Sequence, residues 1–89
     1  MPQAIVDPDE VRQFARSLQK FNNELRDRLI TLNNQLQALG STWRDQEHRK
    51  FIDQFEQQTK NLARFIDANE EHAHYLARKA TAIEDYLQS

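Results

Sequence analysis

Apolar residues recur every three or four positions along two long stretches of the sequence, with polar residues between them. The first stretch begins after Asp7 and Pro8, an N-cap acid and a proline suited to the first helical position. At about 100° per residue its apolar side chains fall within an arc of roughly 80°, the width of a coiled-coil seam. The pattern predicts an amphipathic helix over about 8–39. Its stripe is Val11, Phe14, Leu18, Phe21, Leu25, Leu29, Leu32, Leu36 and Leu39.

The second stretch follows the same spacing over a longer span and predicts a helix over about 43–87. Asn69 stands in a gap of its stripe. It either sets the register of the helix pair, as a lone polar seam residue does, or lies at the edge of the stripe in contact with water. The apolar positions are Phe51, Phe55, Leu62, Ile66, Ala73, Leu76, Ala80, Ile83 and Leu87.

The turn between the stretches, residues 40–42, holds a helix stop and a helix start. Gly40 suits the left-handed position that closes a helix. Ser41 or Thr42 can cap the next helix, and Asp45 is favourable in its first turn. Because the link is so short, we expect the helices to fold back as an antiparallel two-helix hairpin, a single all-α domain over residues 1–89.

The lengths of the two predicted helices indicate a dimer. The second outruns the first by about 13 residues, or roughly 20 Å, so Leu76, Ala80, Ile83 and Leu87 are expected to lack partners within the hairpin. Two hairpins together close the core as a four-helix bundle. In its antiparallel form, the tail of one protomer lies beside the turn of the other. The predicted core and dimer interface comprises Leu18, Leu25, Leu32, Leu39, Phe51, Phe55, Leu62, Ile66, Leu76, Ala80, Ile83 and Leu87.

Composition narrows the function classes. The formal net charge is −2, so nothing favours nucleic acid as a partner. No segment has the roughly 20 apolar residues of a membrane span, and residues 1–7 lack the basic and apolar parts of a signal peptide. We therefore expect a location in the cytoplasm, or export by a route that needs no signal peptide.

One pair of residues has the spacing of a metal motif. Glu71 and His74 match the Glu-x-x-His of di-iron bundles. Glu71, however, falls about opposite the apolar stripe, where surface charge is expected. The chain has no cysteine and no glycine-rich loop. We predict no catalytic, cofactor-binding or metal-binding residues, and no enzyme.

A single tryptophan, Trp43, lies in the turn, and Phe51 follows eight residues later. With two long helices and about this length, the chain resembles the WXG family of small type VII secretion proteins, the ESAT-like proteins. Their Trp-x-Gly turn is likewise followed by an aromatic residue eight positions after the tryptophan. The resemblance implies a dimer, with itself or with a similar hairpin protein, that acts through its surfaces as an exported protein or a secretion adaptor or chaperone. The alternative is a cytoplasmic scaffold module unrelated to secretion.

The chain departs from the family pattern at two places. Asp45 stands where the family has glycine, and Gly40 lies three residues before the tryptophan instead. The family's C-terminal export signal is a tyrosine with an acid four residues later. Here Lys79 stands at that spacing after Tyr75, and Tyr86 lies too close to the end.

Three aromatic residues are candidates for contact with partners. Trp43 either plugs the end of the bundle or, as the family implies, joins the partner's tail to form a recognition surface, for which the secretion machinery is a candidate partner; the two roles are compatible. Tyr75 and Tyr86 lie more than about 100° from the centre of their stripe. They are either anchors for a partner or rings that pack on neighbours with the hydroxyl in water.

Overall fold

The computed structural model describes residues 6–88, which form two long α-helices and no strand. Helix α1 is Pro8–Leu39, with 32 residues, and helix α2 is Gln46–Gln88, with 43 residues. They run antiparallel as an extended hairpin of 66 × 21 × 16 Å. Residues 1–5, most of the segment considered for a signal peptide, lie outside the described residues.

Helix α1 begins as its sequence predicts. The Asp7 carboxylate accepts a hydrogen bond of 2.9 Å from the backbone N–H of Asp9, so it satisfies one of the free donors of the first turn. Pro8 is the first helical residue, and Asp9 and Glu10 place negative charge where the helix dipole favours it.

The end of α1 differs from the expectation. Gly40 is right-handed, with φ −61° and ψ −15°, so the left-handed closure predicted for it is wrong. The carbonyl groups of the last turn are satisfied instead by the residues that follow. The hydroxyl groups of Ser41 and Thr42 donate to the carbonyls of Ala38 and Leu39, at 2.9 and 3.2 Å. These two residues therefore terminate α1 and do not cap α2.

Asp45 caps α2. Its carboxylate accepts a hydrogen bond of 2.9 Å from the backbone N–H of His48, three residues later, as an N-cap side chain does. Helix α2 thus begins at Gln46, about three residues after the predicted start, and the link between the helices covers residues 40–45. It passes beside the first turns of α2, where a Cβ on Gly40 would lie 3.8 Å from the His48 ring and 3.2 Å from the Gln37 carbonyl oxygen.

The longer link changes how the helices overlap. We expected Leu76, Ala80 and Ile83 to lack intramolecular partners, and this is wrong: Ala80 is buried and the other two are half-buried. The first turns of α2 lie beside the link, so α1 reaches the last turns of α2, where Arg12 contacts Glu84. Of the four residues in the predicted overhang, only Leu87 is exposed.

The layer between the helices consists of small and amide side chains flanked by larger apolar ones. Its buried residues are Ala15, Asn22, Ile66, Asn69, Ala73 and Ala80. Half-buried leucines and other apolar side chains surround them, and small residues at the contact let two helices approach closely. Asn69 is buried, so the interpretation that water solvates it is wrong.

Candidate interaction surfaces

One side of the hairpin is polar and closed by ion pairs between the helices. Arg12 donates to the Glu84 carboxylate at 2.5 Å, and Arg26 donates to the Glu70 carboxylate at 2.6 Å. The hydrogen bond from Arg12 lowers the pKa of Glu84 below its ordinary value of 4.5. It also raises the pKa of Arg12, so both groups are more firmly charged.

Large apolar side chains are exposed on the other side. Four of them lie on α1 within about 20° of one another at 100° per residue, and Phe65 of α2 lines one open groove together with Leu32. We call this set the apolar face. It consists of Phe14, Phe21, Leu32, Leu39 and Phe65, all exposed.

The predicted stripe of α1 therefore serves two surfaces. Leu18 and Leu25, on one side of the arc, are half-buried against α2, whereas Phe21 on the other side remains 48 % exposed. The predicted core and interface residues divide in the same way. Ile66 and Ala80 are buried; Leu18, Leu25, Phe55, Leu62, Leu76 and Ile83 are half-buried; Leu32, Leu39, Phe51 and Leu87 are exposed.

Ile30 provides a comparison within the same helix. It is 55 % exposed, but it lies nine residues from Phe21 and therefore about 180° from it on the helix. It lies on the polar side together with Arg12, because the 18 residues between them make five full helical turns. Exposed apolar side chains singly placed are common on protein surfaces, whereas a continuous row is not.

Aromatic rings pack together at the turn end of the hairpin. The centroid of the half-buried Trp43 indole lies 4.9 Å from the His48 ring, edge to face, and 5.9 Å from the Phe51 ring. Phe51 in turn stacks on Phe55 at 5.8 Å. Turn residues Gly40, Trp43 and Asp45 thus act at one place: Asp45 starts α2, while Gly40 and Trp43 lie against its first turns.

His48 and Asn22 were not among the residues predicted from the sequence. The Nε2 atom of His48 is buried without a hydrogen-bond partner, between the Trp43 ring and Gly40. Asn22 is 0 % exposed, and neither atom of its amide has a hydrogen-bond partner. Burying an unpaired amide costs about 1–3 kcal/mol. Ala15, Asn22 and Leu29 are spaced seven residues apart, and this heptad spacing indicates that Asn22 faces α2. The hydrophobicity of the residues alone does not reveal this position.

The remaining candidates lie on the surface. Tyr75 and Tyr86 are both exposed, as are Glu71 and His74 of the possible metal motif. Within residues 6–88, no three His, Cys, Asp or Glu side chains come together as a metal site requires. Neither described helix is long and apolar enough to cross a membrane.

A comparison with curated proteins gives no match to this sequence. A comparison with protein families does give one. Residues 3–86 match WXG100, the family described as proteins of 100 residues with WXG. Because the match covers nearly the whole hairpin, the resemblance carried by Trp43 and Phe51 is confirmed, and the chain belongs to this family of small, helical, secretion-associated proteins.

Proposed function

We propose that this chain is a non-enzymatic secretion protein that works as a dimer of hairpins through its apolar face. The partner we propose is a second copy of the chain, which makes a homodimeric four-helix bundle. The dimer then serves as a protein exported by a type VII route, without a signal peptide, or as an adaptor or chaperone for such export. The observation that carries this proposal is the row of exposed apolar side chains on one side of the hairpin.

The energy available on that face supports association. Fully burying one leucine or phenylalanine side chain contributes about 1.5–3 kcal/mol, and the face holds five such side chains in each copy. Even if each is only half-buried by the partner, the gain is comparable with the cost of immobilising two molecules. A second hairpin covers this face along its length, whereas a small ligand covers only part of it.

The polar side of the hairpin supports the choice of face. Its ion pairs, Arg12 with Glu84 and Arg26 with Glu70, are already satisfied within the chain. A partner placed there would remove these partly exposed charges from water and gain little apolar contact. The second hairpin is therefore expected on the apolar face alone.

Two matched substitutions test the face. In sedimentation equilibrium at micromolar concentration, the unmodified chain and Ile30→Glu should have the mass of a dimer. Phe21→Glu should have the mass of a monomer, because it places a charge among apolar side chains. Both substitutions put the same residue at an exposed apolar position of α1. Dissociation by Ile30→Glu and not by Phe21→Glu would contradict the proposal.

The secretion role needs a separate test. Export is supported if the chain appears in the culture medium only when the type VII ATPase is intact. An adaptor role is supported if it stays in the cell with an exported partner. Dimeric chain that stays in cells with an intact ATPase, bound to one stable partner that is not exported, would instead favour a cytoplasmic scaffold. A dimer with a similar hairpin protein, in place of a second copy, would appear as a mixed complex in the same experiment.

A further inference from the structure

Asn22 and Asn69 occupy the layer between the two helices at about the same height. Leu29 of α1 and Leu62 of α2 line the same groove between the helices. Asn22 lies seven residues before Leu29, and Asn69 lies seven residues after Leu62. Because the helices run antiparallel, the two asparagines are level to within about one helical turn. Both are buried, and the amide of Asn22 makes no hydrogen bond. They are the two polar side chains among the buried residues of the part of the chain that the structure describes, and the other buried residues are alanine and isoleucine.

An apolar side chain in place of the buried asparagine would stabilise the hairpin more than this polar layer does. A buried amide without a hydrogen-bond partner is destabilising relative to an apolar side chain of the same shape. In coiled coils, a single buried asparagine sets register and partner choice at a cost in stability. The same trade applies here, because Asn22 is fully buried at the inner surface of α1.

Helix α1 needs a means of distinguishing its two apolar surfaces. The surface toward α2 and the apolar face lie within one arc, and leucines such as Leu25 and Leu32 occupy both. Asn22 is on the inner surface only. A wholly apolar helix bound there would surround the amide with hydrocarbon. Helix α2, in contrast, brings Asn69 to the same layer.

The layer also distinguishes registers. Sliding α2 by one heptad would place Leu62 or Leu76 at the height of Asn22, and each asparagine would then face only apolar side chains. Two separate polar defects would replace one shared layer. We propose that the Asn22 and Asn69 layer selects the pairing of α1 with α2 and fixes its register, so that the apolar face is left for a partner.

Crosslinking within the chain tests this proposal without reference to the dimer. The sequence has no cysteine, so pairs can be introduced freely. Gln19→Cys with Ala73→Cys reports the native register, because both side chains line one groove between the helices, while Gln19→Cys with Ile66→Cys or with Ala80→Cys reports shifts of one heptad. In a thiol–disulfide exchange buffer, the chain should crosslink at the native pair only, since shifted pairs are about 10 Å too distant along the axis.

Asn22→Leu should change the result in two ways. The midpoint of thermal unfolding should rise by about 5 °C, because a buried unpaired amide is removed. The shifted crosslinks should rise from background toward the native yield. Asn23→Leu, on the exposed neighbour, is the control and should change neither. Asn22→Ala serves if leucine does not fit, and should release the register in the same way.

Some crosslinking results would contradict the proposed role of the two asparagines. Native crosslinks alone in Asn22→Leu, Asn22→Ala and Asn69→Leu would overturn the proposal, whatever their unfolding midpoints. Sedimentation of these variants separates this result from the dimer proposal, because a chain can keep its register and still fail to dimerise.

Discussion

Asp45 shows how a single residue can replace the glycine of the family's turn motif. Within residues 6–88 no residue has positive φ, so this turn needs no glycine for its backbone conformation. What the position needs is a residue that can serve as the N-cap of α2. Aspartate and glycine are both accepted at an N-cap, and aspartate is the stronger of the two because its carboxylate binds a free N–H. The substitution therefore keeps the function of the position.

The cap can be measured by substitution. We expect Asp45→Ala to lower the free energy of unfolding by about 1 kcal/mol, and Asp45→Gly to lower it by only about a few tenths of a kcal/mol. Asp45→Asn should leave it nearly unchanged, because asparagine also accepts a hydrogen bond from the His48 N–H. Urea unfolding at neutral pH measures all three. An equal loss in the asparagine and alanine variants would show that the charge, and not the cap, is what counts.

Trp43 contributes through its ring contacts with His48 and Phe51. Because the indole is only half-buried, Trp43→Ala should cost about 2 kcal/mol, less than the 3–5 kcal/mol of a fully buried ring. Trp43→Phe should retain most of the stability. Chemical unfolding followed by circular dichroism measures both. Unchanged stability in the alanine variant would leave recognition of a partner as the function of this residue.

At the scale of the helices, the periodicity predicted the elements but not which part of each stripe faces inward. Hydrophobicity ranks Phe14 and Phe21 above Ala15 and Asn22, yet the alanine and the asparagine are the buried residues. Two helices pack closely where side chains are small, and a phenylalanine at that contact would separate them. The preference for small residues depends on the distance between helices, a tertiary property that a single-helix pattern does not contain.

The ion pair between the ends of α1 and α2 predicts a pH dependence. The pKa of Glu84 is lowered by Arg12, so the folded chain holds this carboxylate ionised at pH values where the unfolded chain protonates it. Its contribution is complete above the ordinary pKa of 4.5 and is lost as the pH falls through the lowered value. The contribution is small, because both side chains are partly exposed.

Comparing the chain with Glu84→Gln isolates that contribution from the other carboxyl groups. The difference between their thermal midpoints should be constant from neutral pH down to about pH 5 and should shrink below pH 4.5. Glu56→Gln, at an exposed residue of α2, is the control and should show no such change. A difference between the chain and Glu84→Gln that grows toward acid would contradict the assigned pair.

At the scale of the whole molecule, the link between the helices decides which apolar surface is left for the proposed dimer to cover. The three-residue turn expected from the sequence left a long part of α2 without a partner, whereas the six-residue link lets α1 reach Glu84. The proposal of a dimer therefore rests on the exposed apolar face at the side of the hairpin and not on an uncovered tail. The length of the turn was hard to predict because serine and threonine can either cap the start of a helix or bond the end of the preceding one. Here the hydroxyl groups of Ser41 and Thr42 donate to carbonyls at the end of α1.

The orientation of the two hairpins is the remaining property at this scale, and the single tryptophan reports it. In an antiparallel dimer, Trp43 of one copy lies near Gln88 of the other, whereas in a parallel dimer it lies near the other copy's Lys50. A chain with Trp43→Phe and a fluorescence quencher on Gln88→Cys should therefore quench unlabelled chain when the two are mixed. The same quencher on Lys50→Cys should not, because the two label sites lie about 57 Å apart along α2 at 1.5 Å per residue. The reverse result would establish a parallel dimer and contradict the antiparallel prediction, while leaving the apolar face as the contact.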